Sequence, residues 1–209
     1  MTNAPRLYLA TPPVADPAVF LPQLGEALAA APFSSLLLRF ATAEPTRMLE
    51  IAKKFLSPTQ TRGVALVLDS DPQTALYAGA DGAQIAGFGP ALREAIKTLS
   101  PRYIVGAGAL ETRDDSMSAG EAGADYLLFG DLFVDGAPPP AAATLERVAW
   151  WAELFTTPCV ALAHHLDDIG PLCEAGADFI MLGDLVWSDA RGPAAAIADA
   201  VSRLKDLPA

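Results

Sequence analysis

Along the chain, short runs of leucine, isoleucine, valine and small residues alternate with longer stretches whose apolar positions recur every three or four residues. The short runs are RLYLAT (6–11), SSLLLRF (34–40), GVALVLDS (63–70), GAQIAG (82–87), YIVGAG (103–108), DYLLFGDLF (125–133), PCVALAHH (158–165) and DFIMLGDLVW (178–187). They lack the strict apolar–polar alternation of a half-exposed strand, which predicts strands covered on both faces. Helices are predicted between them near 16–31, 44–61, 72–78, 89–99, 112–122, 142–155, 167–175 and 192–206, several with start signals such as Asp71-Pro72. Eight strands, each followed by one helix, predict an α/β fold in which parallel strands close into a (β/α)8 TIM barrel, one domain over 1–209. A doubly wound open sheet is the competing arrangement, but its Gly-rich phosphate turn after the first strand is replaced here by TPPVADP.

One phrase recurs within this pattern, as AGADYLLFGDLF (122–133), as AGADFIMLGDLV (175–186) and, more loosely, as AGADGAQIAG (78–87). In AGAD the glycine suits the left-handed conformation that ends a helix, and the aspartate begins the next strand at the closed end of the barrel. Asp81, Asp125 and Asp178 are therefore expected to be structural. The Gly-Asp pairs at the far ends fall at the C-terminal mouth, where barrels place their chemistry, so Asp131 and Asp184 become candidates for function.

Composition narrows the partners. With 52% apolar residues in 209, the chain can bury a sizeable core. A formal charge of −11 opposes nucleic acid and anionic membranes, and any small anionic ligand would need a local cation, a metal or backbone amides. No apolar run reaches the roughly 18 residues of a membrane span, and MTNAPRLYLATPP lacks the layout of a secretory signal, so a cytoplasmic location is expected. Cys159 and Cys173 have neither metal-site nor redox-motif spacing and are expected to pack as reduced thiols.

In order and spacing, RLYLAT, LLLRF, GVALVLDSD followed by AGADGAQI, IVGAGAL, GEAGADYLLFGDLF and PCVALAHHLDDIGPLCEAGADFIMLGDLVW resemble the thiamine-phosphate synthase family, including its thiazole tautomerase branch. The resemblance covers nearly the whole chain. It implies a (β/α)8 barrel whose mouth binds a phosphorylated thiazole and, in the synthase, a pyrimidine pyrophosphate with Mg²⁺ in a transferase reaction of thiamine biosynthesis.

Position by position, the chain departs from what the resemblance implies. The Gln-x-Arg-x-Lys that ends the family's second strand is read here as Leu37, Leu38, Arg39, Phe40, Ala41, so only the arginine stays. The Asn-Asp pair closing the third strand aligns with Asp69 and Ser70, with Asp71 just beyond, and these two aspartates are the candidate magnesium ligands. His-x-Gly-Gln-x-Asp after AGADG becomes Gln84-Ile85-Ala86-Gly87-Phe88-Gly89, which removes the second magnesium carboxylate. Ser-Ala-His becomes Gly108-Ala109-Leu110, and the Gly-Gly phosphate turn becomes Ala163-His164-His165. Losing one preorganised charge stabiliser costs on the order of a hundredfold in rate, and several are replaced here together.

At the place where the tautomerase branch carries a histidine, this chain has Asp131, the candidate proton-transfer group together with His164. Arg39, Gly108, His165, Gly183 and Asp184 are candidate substrate-binding residues, with Asp135, Asp167 and Asp168 also expected near the mouth. A carboxylate pair across a pocket suits a cationic or hydroxyl-rich ligand, or a divalent metal, better than a bare phosphate. Three readings stay open: a diverged enzyme acting on a small, phosphorylated heterocycle such as a thiazole or pyrimidine phosphate, a non-catalytic small-molecule receptor, and a synthase with relocated metal ligands. APPPAAAT (137–144) reads as a stiff loop, lid or connector. Of the adjacent Trp150 and Trp151, one is expected to be buried and the other partly exposed, as a contact for a homodimer.

Overall fold

The computed structural model describes residues 5–131 and 139–205. Eight parallel strands form a closed barrel in chain order: β1 (Arg6–Ala10), β2 (Phe33–Leu38), β3 (Ala65–Asp69), β4 (Gly82–Ala86), β5 (Ile104–Gly108), β6 (Tyr126–Phe129), β7 (Cys159–Ala163) and β8 (Phe179–Leu182). The ring closes where β1 pairs with β8, Arg6 through Leu9 lying opposite Phe179 through Leu182. Helices α1 (Pro17–Ala30), α2 (Pro45–Gln60), α3 (Pro72–Ala78), α4 (Pro90–Leu99), α5 (Arg113–Ala122), α6 (Ala141–Leu154), α7 (Ile169–Glu174) and α9 (Pro193–Lys205) follow the strands, and a four-residue helix α8 (Asp184–Trp187) interrupts the last crossover. Five of the crossover helices, α1 to α4 and α9, begin at a proline, where its missing N–H is harmless and its φ is already helical.

The repeated phrase builds the closed end of the barrel. In each copy the glycine lies at positive φ, 80° at Gly79, 103° at Gly123 and 94° at Gly176, and stops the helix. The following aspartate then grips one residue of the neighbouring strand twice. Asp125 donates its N–H to the Val105 carbonyl at 2.8 Å and accepts the Val105 N–H on its carboxylate at 2.8 Å. Asp81 does the same to Leu66, and Asp178 to Cys159. Each clamp fixes the register between two strands at their N-terminal ends, far from the mouth.

Two layers of packing hold the ring. Outside it, leucine, alanine and aromatic residues join helices to strands, with Trp151, Phe55, Leu24 and Ile51 fully buried. Inside it, Tyr8, Leu37, Val67, Tyr126, Leu128, Val160 and Met181 fill the lumen. Trp151 is the buried tryptophan of the pair, while Trp150 is half-covered by Phe155 and by the Arg113 guanidinium, 4.8 Å from its ring centre.

Two expected strands end early. The apolar run 178–187 stays a strand only to Leu182; Gly183 turns the chain and DLVW coils into α8, where Trp187 donates to the Ala10 carbonyl at 2.6 Å and packs on Phe20. The run 125–133 is a strand only to Phe129. Of the Pro-rich stretch 137–144, the residues 139–144 are described, and α6 already begins at Ala141. No helix among the described residues is long and apolar enough to cross a membrane.

Candidate functional site

The C-terminal ends of the strands open into a cavity of about 180 Å³. Its walls bring together Arg39 after β2, Asp69 at the end of β3, Gly108 at the end of β5, Asp131 after β6, His164 after β7, and Gly183 and Asp184 after β8. Seven of the nine candidate residues therefore share one space. Asp71 and His165 do not line it.

Asp71 is drawn away by the helix it starts. As N-cap of α3 it accepts the backbone N–H groups of Gln73 and Thr74, both at 3.0 Å, and the Thr74 hydroxyl at 2.7 Å, and these bonds hold its carboxyl below the ordinary range. His165 is exposed, and what the turn after β7 offers is backbone: the N–H groups of His164 and His165 both donate to Asp168 Oδ2, at 3.0 and 2.8 Å. Asp135 lies outside the described residues.

Among the described residues, the two expected magnesium ligands do not come together at one point. Magnesium needs several oxygen ligands in near-octahedral array. The expected pair is split, Asp71 being committed to its cap and Asp69 facing the Arg39 Nε at 4.0 Å. Among the described residues, no three His, Cys, Asp or Glu side chains converge closely enough to hold a metal.

Asp131 is the most perturbed acid of the cavity wall. Loss of solvent pushes its carboxyl from 3.8 up to about 6, against the pull of the Ala109 N–H it accepts, and the charge of Asp69 adds to the rise. Ala109 supplies that N–H from a left-handed conformation, φ 49°, which costs an alanine about 1–2 kcal/mol. Arg147 lies close enough to ease the charge of Asp131 but spends its guanidinium on the Leu110 and Glu111 carbonyls. His164 Nε2 is 2.7 Å from the Gly130 carbonyl, an acceptor only, so Nε2 carries a proton and donates it there.

Beneath these groups lies a residue the candidate set missed. Gln84, on β4, is 5% exposed and belongs to the cavity wall. Its Oε1 accepts the Tyr126 hydroxyl at 2.5 Å, and Tyr126 in turn is 3.0 Å from the Tyr8 hydroxyl. With the Tyr126 proton given to Gln84, Tyr8 donates to Tyr126. Two glycines of β5 make room for the chain: a Cβ on Gly106 would fall 2.4 Å from the Tyr126 hydroxyl and 2.5 Å from Gln84 Oε1. The signal was present in the sequence as a polar residue inside GAQIA and glycines at alternate positions of IVGAG.

A model of the family described as thiamine monophosphate synthase matches residues 7–185. A thiamine-phosphate synthase of Rhodospirillum centenum is 38% identical over 93% of this chain and 95% of its own length. One from Hyphomonas neptunium is 33% identical over 92% of this chain and 90% of its own length. Among solved structures, thiamine phosphate pyrophosphorylase from Pyrococcus furiosus superposes with a TM-score of 0.79 at 23% identity, covering 98% of both chains. A 3-hexulose-6-phosphate synthase shares the barrel at a TM-score of 0.73 and 15% identity, over 94% of this chain and 99% of its own.

Proposed function

Because this chain belongs to the thiamine monophosphate synthase family, we propose that its mouth binds a small heterocycle of thiazole or pyrimidine type from thiamine-related metabolism and moves a proton on it, without the magnesium-assisted coupling of a diphosphate. The observation that carries this reading is Asp131, a carboxyl in the cavity wall poised at about 6. An acid–base group works best when its pKa lies near the pH of operation, because it then both takes and returns a proton. Asp131 as carboxylate would accept a proton from one ring position and, as carboxylic acid, deliver it to another, leaving the net composition of the ligand unchanged. His164, held by the Gly130 carbonyl through Nε2, is the second candidate proton-handling group of the cavity.

Against diphosphate coupling stands the charge balance of the same space. Arg39 is the only cation of the wall among the described residues, and it shares that wall with Asp69, Asp131 and Asp184. The expected phosphate of the ligand would have Arg39 alone to meet it. The cytoplasm is the proposed setting, where the unpaired thiols Cys159 and Cys173, both pushed up to about 11 by burial, would stay reduced.

The test is exchange in D₂O, followed by NMR, on a panel of thiazoles and pyrimidines with and without a magnesium chelator. Exchange at a ring-borne position, indifferent to chelation and reduced about a hundredfold or more by Asp131→Asn, is expected. Exchange that survives Asp131→Asn would sink the proton-transfer role. Pyrophosphate release from a thiazole phosphate and a pyrimidine pyrophosphate that needs Mg²⁺ and disappears in Asp69→Asn would restore the standard synthase.

A further inference from the structure

We infer that Arg147 of α6 is a positioning residue for Asp131: it holds the turn after β5 so that the Ala109 N–H points at the Asp131 carboxylate and fixes it in the cavity wall. Its bearing on chemistry rests on the reading of Asp131 as the proton-handling group; the contact itself is tested on the chain without a ligand.

The turn has no backbone support of its own. Between the end of β5 at Gly108 and the N-cap of α5 at Thr112, residues 109–111 make no backbone–backbone hydrogen bond among the described residues. Ala109 nevertheless lies at φ 49°, the only non-glycine residue at positive φ among the described residues. An alanine is disfavoured in that conformation by about tenfold, and it persists there only where its surroundings over-determine it. Side chains do the holding: Asp131 accepts the Ala109 N–H, and the Arg147 guanidinium donates Nη1 to the Leu110 carbonyl and Nη2 to the Glu111 carbonyl, the latter at 2.8 Å.

A guanidinium suits this work because its donors are coplanar and fixed in a fork. Bonds to two successive carbonyls orient two rigid peptide units at once, and so constrain the residue that joins them to β5. Arg147 itself stands on a fixed base. Val148 and Trp151 of α6 are fully buried, and the Trp151 Nε1 donates to the Thr157 carbonyl at 2.8 Å. A second link, from Arg113 Nη2 to Glu146 Oε1 at 2.7 Å, ties the first turn of α5 to the residue before Arg147.

The competing account is that Arg147 acts on Asp131 only as a nearby positive charge. Loss of solvent is the main influence on the Asp131 carboxyl; the Ala109 N–H opposes it more than the charge of Arg147 does, while the charge of Asp69 adds to it. Arg39, Asp69, His164 and Asp184 share the cavity wall with Asp131, and Arg147 is not part of that wall. Its stronger route to Asp131 therefore runs through the turn and the Ala109 N–H.

The test is NMR of the isotope-labelled full chain without ligand, comparing Arg147→Lys with the parent. Lysine keeps the positive charge and gives up the two-pronged hold. Arg147→Lys is expected to speed hydrogen exchange at the Ala109 amide about tenfold and to reduce the shift of that amide as Asp131 ionises, while the Val105 amide, held by Asp125 at the closed end, keeps its protection. Adding Ala109→Gly to Arg147→Lys is expected to restore both readouts, because glycine takes a positive φ without the penalty. Unchanged readouts in Arg147→Lys would make Arg147 a bystander, no recovery in the double variant would place its action elsewhere, and an equal loss at Val105 would make it a general support of the fold. Each of these overturns the inference. None of them touches the ring-exchange assay of Asp131→Asn, whose own failure would remove the proton-transfer role and leave the Arg147 contact standing.

Discussion

Replacing Asp131 by asparagine is expected to stabilise the chain at neutral and alkaline pH while removing its proton chemistry. The carboxyl is raised from 3.8 to about 6 in the folded state. A raised carboxyl pKa means that ionisation is harder in the folded chain than in the unfolded one. Its stabilising contribution is therefore complete below 3.8 and is lost as the pH rises through about 6. A shift of about two units corresponds to about 3 kcal/mol at full ionisation, an upper bound because the side chain keeps some solvent. Asparagine keeps a carbonyl oxygen to accept the Ala109 N–H and carries no charge to desolvate. Urea unfolding of both chains would show a gain for Asp131→Asn that is small near pH 4 and grows toward about 3 kcal/mol by pH 8. If the variant were instead weaker at every pH, Asp131 would be a simple turn cap whose charge the Ala109 amide needs. That result would refute the reasoning, and the proton-transfer proposal would lose its physical basis.

Two further variants probe the architecture around the site. Gly106→Ala forces a methyl to within 2.4 Å of the Tyr126 hydroxyl, so overpacking is expected to cost about 1–3 kcal/mol in thermal or urea unfolding; an unchanged midpoint would mean the Tyr8–Tyr126–Gln84 chain is not tightly held. Asp71→Ala is expected to cost about 1 kcal/mol through the lost cap of α3 and to leave ligand affinity as it was, and a lost affinity or a lost response to Mg²⁺ would return Asp71 to the site.

The barrel was legible because its signals are local and repeat. Runs of apolar residues, prolines at helix starts and the AGAD phrase each act within a few residues, and each predicts its own element. The boundaries failed where the apolar pattern ran past the backbone signal. DLVW carries no polarity change to mark the end of β8, and only the Gly183 turn and the Ala10 carbonyl waiting for Trp187 decide it. The site was legible in part for a related reason. Residues placed one or two positions past a strand end, such as Arg39, Asp131 and His164, reach the mouth by topology alone. Asp71 left the set because the amides of Gln73 and Thr74 lie nearer than the cavity, a competition between local partners that strand position does not reveal. Gln84 was hidden for the opposite reason: its meaning depends on Tyr126 and Tyr8, 42 and 76 positions away, and on glycines of a third strand.

The strand clamps and the candidate site are written at opposite ends of this barrel, so residues at the mouth can change without loosening the clamps. The double grips of Asp81, Asp125 and Asp178 act at the N-terminal ends of β3, β5 and β7, where no candidate site residue lies. Changes at the mouth leave them intact. The mouth has a second requirement, since a partly buried N–H left without a partner costs about 1–3 kcal/mol. Asp131 and Asp168 meet it by closing on the amides of Ala109, His164 and His165. The two carboxylates thereby keep the rim's amides partnered, so replacing either one leaves N–H groups that must find water or another acceptor.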